Sequence, residues 1–107
     1  MGKFDDFVAA VLSGAEDIAN QTLSGFGNQA RADAKAFLDR TKADLQRWAI
    51  LRAEKKLTDE DFSDLVEAKR ALAEMHALTR AGIAAATLER FRSELIQMVI
   101  DKAMTLL

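Results

Sequence analysis

Apolar residues recur at i, i+3, i+4 and i+7 along most of this chain, a spacing that gathers them on one face of a helix. From Lys3 to Leu23 the series runs Phe4, Phe7, Val8, Val11, Leu12, Ala15, Ile18, Ala19 and Leu23. Ser13 and Glu16 have capping-box spacing around Gly14, a poor helix former, yet the stripe keeps its phase across them. One helix is expected there, kinked at most. A second stripe runs through Ala30, Ala34, Phe37, Leu38, Thr41, Leu45, Trp48, Ala49 and Leu51. Arg52, one turn after Trp48, is placed to stack on the indole. A third comprises Phe62, Leu65, Val66, Ala68, Leu72, Met75 and Leu78, and a fourth Leu88, Phe91, Leu95, Met98, Val99, Ala103 and Leu106.

Three stretches punctuate these stripes. Ser24-Gly25-Phe26-Gly27-Asn28 holds two glycines in three residues, with Asn28 placed to cap the second helix and Phe26 expected to fold back on the core. Leu57-Thr58-Asp59-Glu60-Asp61-Phe62 is the clearest helix start. Thr58 is the N-cap, three acids meet the free amides of the first turn, and Leu57 and Phe62 form a hydrophobic staple. Gly82 is the third. As the left-handed residue just past a helix it would set Leu78 against Ile83, the contact of a Schellman ending. Against a break there, Ala84-Ala85-Ala86 favour helix; for it, a continuous helix from Asp59 to Leu106 would be about 72 Å long, overshooting its partners and demanding a second chain. The pattern therefore predicts an all-α protein, an up-and-down four-helix bundle with helices at about 3–23, 28–56, 59–80 and 84–106 in a single domain. The alternative is an elongated three-helix chain in which the last two helices run on through Gly82.

Composition supports the helical reading. At 107 residues the chain can bury its own core, and it has no proline, cysteine or tyrosine. Without cysteine there are no disulfides, thiolate nucleophiles or sulfur-ligated metals. Met1 to Asp6 does not resemble a signal peptide, Asp6 breaks the myristoylation pattern after Gly2, and no apolar run reaches the length of a membrane span. A soluble cytoplasmic protein is expected. The alanine-rich, proline-free composition resembles that of phasins, the granule-coating proteins, in composition alone.

The net charge of −2 hides a segregation. Residues 28–57 carry a net +4, between −3 for residues 1–27 and −3 for residues 58–80. This reads as complementarity between neighbouring helices, which selects an arrangement more than it stabilises one. The basic stretch is interleaved with Asp33, Asp39, Asp44 and Glu54 and carries one tryptophan, a poor platform for nucleic acid.

Candidate chemistry is sparse. His76, the only histidine, stands two residues from Glu74, one short of the Glu-x-x-His spacing of carboxylate-bridged metal sites, and reads as a partly buried or boundary residue. With one histidine and no cysteine there is little from which to build a nucleophile, and Ser13, Ser24, Ser63 and Ser93 sit in no nucleophile context. Asp59, Glu60, Asp61 and Asp64 cap a helix and lack the glycine of a calcium loop. No enzyme, cofactor, metal or small-molecule substrate is expected.

One surplus points to association. Beside its core stripe the last helix carries Ile96, Ile100, Met104 and Leu107, about 100° round from the first. Burying both faces calls for a further helix or a second molecule. The expectation is a non-enzymatic helical interaction or structural protein, working as a homo-oligomer or with another helical protein through Ile96, Ile100, Met104 and Leu107. The alternative is a surface-active, membrane-peripheral or granule-coating protein, disfavoured because the last turns lack a lysine-rich polar face.

Overall fold

The computed structural model describes residues 2–107. Among them are five α-helices and a 3₁₀ turn, and no strand: α1 Lys3–Thr22, α2 Gly27–Ala53, α3 Asp59–Glu67, the 3₁₀ turn Arg70–Leu72, α4 His76–Arg80 and α5 Ala85–Leu106. The chain is all-α, as its pattern requires. α1 packs on both α2 and α5, and the stretch from α3 to α4 closes the opposite side, against α2 and α5. One apolar cluster fills the space between, anchored by fully buried Phe7, Phe37, Phe62 and Phe91.

α1 is uninterrupted at Gly14. The glycine serves packing: a Cβ at that position would collide with the Met98 thioether of α5. α1 ends where Ser24, Gly25 and Phe26 all take positive φ. The expectations for Phe26 and Asn28 are corrected here. Phe26 becomes the left-handed residue before α2 and stays 39% exposed, while Asn28 lies inside α2 rather than capping it.

α2 stops at Ala53, three residues before the expected end. Lys55 is left-handed at φ 62°, its amide donates to the Arg52 carbonyl (3.0 Å) and that of Lys56 to Leu51 (2.8 Å). That is a complete Schellman ending built without glycine. Arg52 does not stack on Trp48. Its Nε donates to Asp59 at 2.6 Å, tying α2 to the start of α3. There the capping box is complete: the Asp61 amide donates to Thr58 Oγ1 (3.0 Å), and the Thr58 amide to the Asp61 carboxylate (3.3 Å).

The predicted helix 59–80 is not continuous. It breaks after Glu67, and Met75 adopts φ 56° with its side chain buried. The reason lies in the phase of the stripe. Leu72, Met75 and Leu78 follow one another in i+3 steps, each falling about 60° short of a full turn. On a straight helix with Phe62 and Val66 facing the core, Met75 and Leu78 would lie about 220° and 160° round from Phe62, on the outer face. The break turns them inward, where they are 1% and 0% exposed. Burying two such side chains is worth about 1.5–3 kcal/mol each, more than one left-handed residue costs.

The backbone groups freed by the break are met by charged side chains from neighbouring helices. Asp33 of α2, 5% exposed, accepts from the amides of Ala77 and Leu78, both at 2.9 Å, and so caps α4 from another element. Arg40 donates to the Leu72 carbonyl (3.1 Å) and Arg92 of α5 to that of Ala73 (2.7 Å). α4 then ends as its sequence suggested. Gly82 has φ 89°, its amide donates to Thr79 (3.0 Å), and the Ile83 amide donates to Leu78 (3.3 Å). The elongated three-helix alternative is thereby excluded.

Candidate interaction site

The two apolar lines of α5 are both used within the chain. Ile96 and Ile100, expected on an intermolecular surface, are 0% and 5% exposed, and only Met104 and Leu107 are half-buried. α5 is flanked by α1 on one side and α3 on another, so one helix needs two apolar faces without any second molecule. The expectation that Ile96 and Ile100 face a partner is corrected on that ground.

Leu107 has a different neighbourhood. With Lys3 and Phe4 at the start of α1 and Gln46, Ala49, Ile50 and Ala53 on α2, it lines an open trough of about 450 Å³. Ile50 is 59% exposed, the most exposed large apolar residue among those described. Its exposure is set by its place on α2. Trp48 faces the core, and Ile50, about 200° further round, must face away. Phe4 lies against Phe7, ring centroids 5.5 Å apart, and also borders a second trough with Asp5, Val8, Lys35, Leu38, Asp39 and Lys42. Phe4 is thus shared by the two troughs.

The polar side chains lining the first trough are Lys3 and Gln46, and the adjoining trough sets Asp5 and Asp39 beside Lys35 and Lys42. Among the described residues Lys3, Lys42 and Lys55 form no ion pair, whereas Arg31, Lys35, Arg40, Arg47, Arg52 and Lys56 each pair with an acid. Three of those pairs, Arg31–Glu16, Arg40–Glu74 and Arg52–Asp59, join α2 to the acidic stretches on either side, as the charge segregation anticipated.

No family model, curated protein or solved structure matches this chain.

The remaining polar clusters are scaffolding. Arg70 reaches Glu67, Glu89 and Ser93, and Glu89 also holds Arg92. The Arg70 guanidinium keeps the Glu89 carboxyl below its ordinary range, against a smaller opposing effect of desolvation and with help from Arg92. Glu89 thereby orients the Arg92 side chain that satisfies Ala73. His76 is exposed rather than at a core boundary, 3.2 Å from the Glu74 carboxylate. Among the described residues no group of three or more His, Asp or Glu side chains is placed to hold a metal ion, and no helix is long and apolar enough to cross a membrane. The trough does not emerge from the periodic stripes. Its signal in the sequence is Ile50, an isoleucine on a long helix that belongs to no core stripe.

Proposed function

We propose that the chain is a non-enzymatic helical interaction protein that docks a second helix in the trough between the start of α1, the last turns of α2 and Leu107. The observation that carries this reading is Ile50, a large apolar side chain 59% exposed within a mainly apolar lining. Gln46, Ala49, Ile50 and Ala53 are spaced i, i+3, i+4 and i+7, the seam into which an amphipathic helix packs. Seven lining residues fall well short of the roughly 20–30 a side of a standard stable interface. The complex is accordingly weak and reversible.

Chemical-shift mapping tests this. Titration with amphipathic helical peptides of acidic, neutral and basic composition should move resonances of Lys3, Phe4, Ala49, Ile50, Ala53 and Leu107 and leave those of α3 and α4 in place. If no peptide shifts the trough and light scattering reports a monomer at every concentration, the docking reading fails.

A further inference from the structure

We propose that Met98 is a modification site: a peroxide oxidises its thioether, and the sulfoxide loosens the packing of α1 on α5. One side of this residue is closed and the other open. On the closed side its sulfur occupies the place that a Cβ would take on Gly14, so the thioether is seated directly on the α1 backbone. Val11 and Ala15, on either side of that glycine in the sequence, are fully buried. On the open side Met98 is half-buried and lines a groove of about 430 Å³ between α1 and α5. Ile18 and Gln21 form one wall of the groove, and Gln97, Asp101 and Lys102 belong to the other. A peroxide in solution reaches Met98 from there. Met75, by contrast, is 1% exposed, and the sequence has no cysteine to intercept the oxidant.

The chemistry is a two-electron oxygen transfer. A lone pair on the Met98 sulfur attacks one oxygen of hydrogen peroxide, the O–O bond breaks and an S–O bond forms. The leaving hydroxide takes the proton of the transferred oxygen and departs as water. The sulfur is oxidised and the peroxide reduced, with no further reactant. The product carries a strongly polar oxygen and one more heavy atom than the thioether. Toward Gly14 there is no room for an added atom, so the oxygen must turn to the groove, where water solvates it. That rotation lifts the sulfur off Gly14 and leaves a gap that a residue without a side chain cannot fill. Both helices lose contacts there, and the two ends of the chain are held together less firmly. Methionine sulfoxide is reducible by enzymes specific for each epimer, so the change is reversible.

The test exposes the folded protein to hydrogen peroxide and follows each methionine by peptide mass mapping. Met98 should gain one oxygen at least about tenfold faster than Met75. The oxidised protein should melt about 4 °C lower or more, and methionine sulfoxide reductases of both specificities should restore the original melting temperature. In Met98→Leu the same treatment should leave the melting temperature where it was, although Met104, also half-buried, still oxidises. Gly14→Ala gives an independent check, because the added methyl displaces the sulfur toward the groove and Met98 should then oxidise several-fold faster. An unaltered rate in that variant overturns the seating of the sulfur on Gly14. If Met98 reacts no faster than Met75 in the unmodified sequence, the site is not reachable and the proposal fails. It fails equally if Met98 oxidises without a fall in melting temperature, or if Met98→Leu shows the same fall.

Discussion

The three long helices and the stretch between α3 and α5 have similar composition and opposite outcomes. α1, α2 and α5 each run 20 residues or more without interruption. Residues 68–81 are Ala, Lys, Arg, Leu, Glu and Met in large part, among the best helix formers there are, and they break twice. Propensity therefore does not separate the two regions; stripe phase does. Where apolar residues alternate i+3 with i+4 the stripe stays over the core, and where three fall at i+3 in succession it walks off the face. The chain then breaks to follow its large side chains. Such a break has a general requirement, because the backbone groups it releases must be matched from elsewhere, here by Asp33, Arg40 and Arg92.

The strongest challenge to this comparison is whether the broken stretch is core at all. Leu78→Ala and Leu45→Ala remove side chains of matching burial, one from each region. Each should cost about 2–5 kcal/mol by chemical denaturation. A clearly smaller loss at Leu78 would mean that the break does not exist to bury it. Next in size is Asp33→Ala, which strips the acceptor from two amides and should cost about 1–3 kcal/mol. Faster hydrogen exchange at Ala77 and Leu78, with α1 unchanged, would locate the loss; unaltered exchange at both would refute the cross-helix cap. The smallest effect sharpens the regular side. Lys55 holds a left-handed conformation that glycine adopts freely, so Lys55→Gly should stabilise by up to about 1 kcal/mol. A fall in melting temperature would show that the lysine side chain contributes more than its strain.

Much of the fold was legible. The cap at Thr58, the left-handed Gly82 and the three long helices all arise from local spacing, because their causes lie within a few residues. The walk of Leu72, Met75 and Leu78 was also written in the sequence, and reading it needs their angles rather than their count. Asp33 was not legible. Its role as a cap depends on an element more than forty residues away, and nothing near it marks a carboxylate that will be buried. The apolar surface divides the same way. A second apolar line on α5 looked surplus because the number of its neighbours is a tertiary fact. Ile50 could have been found by asking which large apolar residue no stripe claims.

The meeting of Lys3, Phe4 and Leu107 in one trough has a consequence for how the chain reaches this state. α1 packs on α5, so the first helix must find the last across almost the whole sequence. The α1–α2 pairing needs only a short turn and can form early. The α1–α5 contact requires closing a loop of some eighty residues, and its entropic cost comes due before any packing rewards it. Such a contact belongs to the late steps of folding. Until it is made, the face of α5 that meets α1, Met98 among it, stands open, so apolar surface that the finished molecule covers is exposed to misassembly on the way there.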